Sequence, residues 1–193
     1  MDYFEPIVEQ TISLEGGFAD VRCDHGGRTK CGITEETFRH ALDLKIISGV
    51  TDVKDLTIVQ AKAIYKTFLW NPLRLHEITD PCIASEIFDT AVNSGPGRAT
   101  LVAQLALEYL GEKLATDGVM GSETIGLLNK WCSKDPRALM VALNGMQFVH
   151  FVAIADEGIL AEIMNRVKSD PEQFKFTRGW TKRIQDYRKE ERA

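Results

Sequence analysis

The chain has 193 residues, 44% of them hydrophobic and 26% charged. That is the make-up of a soluble globular protein able to bury about 70% of the surface its unfolded form exposes, as one compact unit or two tightly joined lobes. A net charge of −5 argues against general nucleic-acid binding, and four cysteines are too few for a disulfide-built scaffold.

Phe4, Ile7, Val8, Thr11 and Ile12 recur at i, i+3, i+4, i+7 and i+8, which predicts an amphipathic helix. Pro6 falls in its first turn, where proline is tolerated, and Gly16-Gly17 stops it. Glu15 follows Thr11 and Ile12 on the same side, so its carboxyl sits over the buried face at the negative end of the helix dipole. Dipole and partial burial both favour the protonated form. A carboxylic acid kept protonated near neutral pH can donate to a leaving sugar oxygen. The alternative is a helix-end glutamate pointing to water.

Residues 18–33 read as a polar, glycine-rich loop with room for a short hairpin. Asp24 lies nine residues after Glu15, and Thr29 fourteen. Glycosidases commonly pair an acid with a second carboxylate near the anomeric carbon. Asp24 suits that second role, with a turn-forming Asx residue as the alternative. Cys23, His25 and Cys31 match no standard zinc spacing, so no metal is expected. Cys23 and Cys31 could approach each other across the hairpin, although free thiols are the default for a protein made in the cytoplasm.

Thr34 reads as the N-cap of a helix running to about Ile47, with Glu35 and Glu36 in its first turn. Thr57 begins the next, with Ala61, Ile64, Tyr65 and Phe68 along one face and Asn71-Pro72 ending it. Trp70 fits a core position better than a sugar-stacking platform. From Asp80 to Asn93 a helix carries Ile83, Ile87, Ala91 and Val92, while Glu86, Asp89 and Asn93 share a polar face. Asn93 and Ser94 can hydrogen-bond a glycan's acetamido groups. Equally, Asn93 can end the helix, Gly95 take φ > 0, Pro96 open the next helix and Arg98 pair with Asp89.

Leu101 to Gly111 and Ser122 to Trp131 read as further helices. A long one runs from Asp135 to about Asp156, with Leu139, Leu143, Phe148, Phe151 and Val152 as core candidates, read as a central helix buried between lobes. No apolar run looks long enough to cross a bilayer, so stable membrane insertion is not expected. The segments 159–167 and 178–191 are expected to pack around the long helix, and the basic residues Arg178, Lys182, Arg183, Arg188, Lys189 and Arg192 read as a solvated face.

Several stretches resemble the glycoside hydrolase family 108 N-acetylmuramidases. They are Glu15-Gly-Gly-Phe18, Asp24-His-Gly-Gly-Arg-Thr-Lys-Cys-Gly-Ile-Thr34, Ala61-Lys-Ala-Ile-Tyr65, Trp70-Asn-Pro-Leu73 and Phe88-Asp-Thr-Ala-Val-Asn-Ser-Gly-Pro-Gly-Arg-Ala99. Asp117-Gly-Val-Met-Gly-Ser-Glu-Thr124 and Arg178-Gly-Trp180 resemble the helical, peptidoglycan-binding region that usually follows. The resemblance implies a mostly α, lysozyme-like fold with one small β-hairpin near the active site. It implies a catalytic lobe over residues 1–95 and a helical lobe over 96–193, packed as one compact unit. It further implies cleavage of the β-1,4 muramic acid–glucosamine bond of peptidoglycan, with Glu15 as the acid and no metal or organic cofactor.

Phage-type lysozymes carry Glu-x8-Asp-x5-Thr, and this chain has Glu15-x8-Asp24-x4-Thr29. That similarity assigns Asp24 to stabilising the oxocarbenium-like transition state or activating water, and Thr29 to placing the water. Phe18 stands where the family commonly has tyrosine, and Cys31 where it has an aromatic. Phe18, Asp89, Asn93 and Ser94 are the expected glycan contacts, and the protein is expected to act as a monomer. The start, Met1-Asp2-Tyr3-Phe4-Glu5, lacks a basic-then-apolar export pattern. A protein made in the cytoplasm that reaches the periplasm or cell wall by release or dedicated export is therefore expected. The rival from another class is a non-catalytic wall-binding or secretion-assisting protein of the same fold.

Overall fold

The computed structural model describes residues 3–15, 17–20 and 28–155, leaving the side chains of residues 14, 15, 19 and 20 outside the description. Asp24, Cys23, His25 and the segments 159–167 and 178–191 expected to pack on the long helix lie outside the described residues. The chain forms two compact units, Met1–His76 and Glu77–Ala193.

The first unit holds α1 (Phe4–Glu15), three short strands β1 (Phe18–Asp20), β2 (Arg28–Lys30) and β3 (Ile33–Thr34), then α2 (Glu35–Asp43) and α3 (Ile58–Tyr65). The apolar stripe of α1 is buried through Phe4, Ile7 and Val8, with Phe38, Ala41, Ala61, Ile64 and Trp70 also in the core. Trp70 is only 1% exposed and meets Phe4 edge to face at 5.3 Å, which makes it a core aromatic and not a sugar platform. Lys62 of α3 bridges Glu5 and Glu9 of α1 at 2.6 and 2.7 Å.

The hairpin expected over 18–33 is one strand larger: β1, β2 and β3 form an antiparallel sheet in that order. Thr34 caps α2 by accepting from the Thr37 N–H, as its sequence position predicts. That helix stops at Asp43, short of the expected Ile47. Lys45 turns left-handed (φ 58°), and the Lys45 and Ile46 N–H groups donate back to the Leu42 and Ala41 carbonyls, closing the helix end. Thr57 and Gln60 form a reciprocal capping box at the start of α3, and a π-helical turn over Lys66–Trp70 extends that helix to Asn71-Pro72.

The second unit holds α4 (Pro81–Ser94), α5 (Pro96–Tyr109), α6 (Ser122–Lys134) and α7 (Pro136–Ala155). Asp80 caps α4 through the Cys82 and Ile83 N–H groups. Gly95 alone separates α4 from α5, at φ 83° and ψ 162°, a conformation essentially restricted to glycine. α4, α5 and α6 each pack on α7. The fully buried Gln104 of α5 ties down the following loop, donating to Asp117 and the Val119 carbonyl and accepting from the Gly118 N–H.

α7 corrects two expectations. Its first half is buried through Ala138, Leu139, Ala142 and Leu143, but Phe148 is 68% and Phe151 38% exposed, so it is not a helix buried along its length. At 20 residues it is also long and apolar enough, by length and composition, to cross a membrane. Asn144, Gln147 and His150 interrupt the apolar run without adding charge, which conceals its length in the sequence.

Candidate active site

α1 ends at Glu15, from which the chain passes directly toward β1. The Glu15 side chain and the whole of Asp24 lie outside the described residues, so the first unit presents the backbone place of Glu15 and all of Thr29 and Phe18.

Thr29 is the middle residue of the central strand, paired with Ala19 on β1 and Thr34 on β3. Side chains along a strand alternate between faces. Arg28 and Lys30 therefore share one face and Thr29 takes the other. Phe18 pairs directly with Lys30 and joins the cationic face; the Arg28 guanidinium lies 5.4 Å from its ring centroid. The sheet thus places Phe18 and Thr29 on opposite faces. Phe18 remains 44% exposed, an aromatic surface rimmed by cations.

The cationic side of β2 is anchored to the segment that follows α2. The Arg28 Nη2 donates to Asp52 at 2.6 Å, and the Lys54 N–H donates to the same carboxylate oxygen at 2.9 Å. The Lys54 N–H foremost, with help from Arg28, holds the Asp52 carboxyl below the usual carboxylate range. The Lys30 ammonium donates to the Lys54 carbonyl. The buried Tyr65 hydroxyl donates to the Cys31 carbonyl at 2.7 Å. Burial pushes the Cys31 thiol up, which keeps it from acting as a thiolate nucleophile at neutral pH.

Asp89, Asn93 and Ser94 belong to the second unit. Gln147 of α7 donates to Asp89 at 3.4 Å and to the Thr90 hydroxyl at 3.0 Å. The Ser94 hydroxyl and His150 of α7 are 3.1 Å apart. The expected pairing of Asp89 with Arg98 is absent among the described ion pairs, since Asp89 turns to α7 while Arg98 is exposed. Asn93 does not end the helix; its amide folds back to the Asp89 carbonyl and α4 continues to Ser94. Gly95 and Pro96 take the turn and helix-opening roles that the sequence suggests. Glu86, one turn before Asp89, is half-buried; burial first, and the Asp89 charge second, push its carboxyl up.

Sequence reasoning missed Gln147 and His150. Their signal was polar residues at i and i+3 in a helix without charge from Ala138 to Ala155. Among the described residues no group of three His, Cys, Asp or Glu side chains could hold a metal ion.

Residues 8–95 match the Glycosyl hydrolase 108 family, and residues 98–185 match the Predicted Peptidoglycan domain. The solved structure of Brucella abortus SagA is similar to this chain over 97% of its length and 92% of its own, at 25% identity and a TM-score of 0.64. Among curated proteins, none matches.

Proposed function

We propose, from the match of residues 8–95 to the glycosyl hydrolase 108 family, that this chain is an N-acetylmuramidase acting on peptidoglycan. At the coarser level it is a peptidoglycan-related protein of mostly α, lysozyme-like fold, with a predicted peptidoglycan domain behind the hydrolase region. The observation that most supports the finer reading is local. The helix ending at Glu15 runs at once into the sheet whose central strand carries Thr29. An acid at a helix end, followed in the chain by a sheet that holds a hydroxyl, suits protonation of one oxygen and positioning of another.

In this reading Glu15 protonates the glycosidic oxygen between muramic acid and glucosamine. Asp24 stabilises the oxocarbenium-like transition state or activates water, and Thr29 holds that water. Phe18 offers the glycan an aromatic surface on the sheet face opposite Thr29, and Asp89, Asn93 and Ser94 are glycan contacts of the second unit. Residues 1–95 form the catalytic portion and 96–193 the wall-holding portion of a monomer. It works in the periplasm or wall after release or dedicated export, and it needs no metal or organic cofactor.

Digestion of purified sacculi tests this. The wild type should release muropeptides whose new reducing end is muramic acid, identified by product mass. Glu15→Gln should lower the rate at least about 100-fold with an unchanged circular dichroism spectrum. Sacculi bound but left intact by the wild type would refute hydrolysis and leave wall binding as the function.

A further inference from the structure

The strand that carries Thr29 is held in place by an unusual turn. β2 and β3 are joined by two residues only, Cys31 and Gly32, at φ 55° and 74°. Positive φ at both positions is the signature of a type I′ hairpin, in which asparagine or glycine normally stands first. Cysteine tolerates the left-handed conformation poorly, because its Cβ crowds the backbone. Such a residue persists only where the surroundings over-determine it. Here they do: Cys31 is 6% exposed and its carbonyl accepts a 2.7 Å hydrogen bond from the hydroxyl of Tyr65, itself 3% exposed on α3.

The turn sets the pairing of Lys30 with Ile33 and of Thr29 with Thr34. A slip of one residue would carry Thr29 to the opposite face. β2 is three residues long and β3 only two, so their own ladder bonds are few. Besides the three-residue pairing of β2 with β1, the register is held from outside the sheet by Tyr65 on the turn and by Arg28 and Lys30 on the Asp52–Lys54 segment.

We propose that Tyr65 is a positioning residue for hydrolysis: its hydroxyl locks the Cys31–Gly32 turn, which fixes the face and orientation of Thr29. The proposal rests on the muramidase reading in which Thr29 holds the attacking water. Tyr65 touches no substrate in this account and acts on Thr29 through the turn.

Tyr65→Phe tests it, since it removes one oxygen and keeps the buried ring. On sacculi kcat should fall about tenfold with KM within about twofold, the mark of a misplaced group and not a lost binding contact. In a Thr29→Ala background the same change should cost less than about twofold, because the group being positioned is gone. Hydrogen exchange supplies the readout that does not depend on activity: amides of β2 and β3 should exchange at least about tenfold faster in Tyr65→Phe, with those of α2 unchanged. Full activity in Tyr65→Phe, an equal loss in both backgrounds, or unchanged exchange in the sheet would each overturn the proposal. A wild type inert on sacculi would sink the muramidase reading and, with it, the catalytic consequence of Tyr65. The exchange data would then still report whether the hydroxyl holds the turn.

Discussion

Gly95 and Gly97 stand two residues apart and should respond to the same substitution with opposite signs. At Gly95, φ 83° and ψ 162° define a region that residues with a Cβ avoid, while no atom lies within 4 Å of where an added Cβ would sit. Gly95→Ala therefore tests backbone strain without a clash. Strain of this kind costs about 1–3 kcal/mol. Alanine also narrows the unfolded ensemble, which offsets about 0.4–1 kcal/mol of that. The expected net loss is about 1–2 kcal/mol, and with an m-value of about 2 kcal/mol/M the urea midpoint should fall by roughly 0.5–1 M. Gly97 lies in the first turn of α5, has ordinary φ and likewise has no atom within 4 Å of a built Cβ. Gly97→Ala should stabilise by about 0.5–1 kcal/mol and raise the midpoint. Both variants would be followed by far-UV circular dichroism across a urea series, with m checked for constancy. A Gly95→Ala protein as stable as wild type, or two shifts of the same sign, would refute the argument.

Two glutamates should give opposite pH signatures. Glu112 accepts from Lys130 and from the Trp131 indole N–H, and the Lys130 hydrogen bond foremost holds its carboxyl below the usual range. The stability this supplies is present above the ordinary glutamate pKa and is lost as pH falls through the lowered folded value. Glu112→Gln should therefore lower Tm at pH 7 and converge on wild type in acid, and a constant offset across the pH series would contradict it. Glu86 is the reverse case. Its raised folded value means stability is lost as pH rises out of the ordinary glutamate range. Glu86→Gln should raise Tm at pH 7, with the gain vanishing in acid; a lower Tm at neutral pH would refute it. Gln104→Leu should strand the Gly118 N–H at a cost of about 2 kcal/mol, lowering Tm by roughly 4–8 °C and exposing the 117–119 loop to protease. Unchanged Tm and protease resistance would show that water replaces the amide.

Most helices were legible because their signals are local. The α1 stripe, the Thr34 and Thr57 caps and the Gly95-Pro96 break each depend on residues a few positions apart. α2 was overextended because its stop comes from Lys45 in a left-handed conformation, which a lysine does not advertise. The exposure of Phe148 and Phe151 could not be read from periodicity, because the polar residues Gln147 and His150 turn inward to α4 and do not mark the solvent face. At the site, the sequence singled out Thr29 and Phe18 but not the faces they take. Strand pairing separates them, because register decides which face a side chain takes. Tyr65 looked like one more apolar contact of α3, and its role depends on a turn 34 residues earlier in the chain.

α4 is claimed by two different ways of dividing the molecule. By family it lies inside the hydrolase match, which runs to residue 95; by packing it is built into the unit that begins at Glu77, against α5 and α7. Its apolar side chains Ile83, Ala84, Ile87, Phe88 and Ala91 would face water in any fragment severed after residue 95. The halves are therefore not interchangeable cassettes. A chimera joined at residue 95 would inherit a sticky, half-dressed helix, whereas a splice between His76 and Glu77 would keep that helix with α5 and α7.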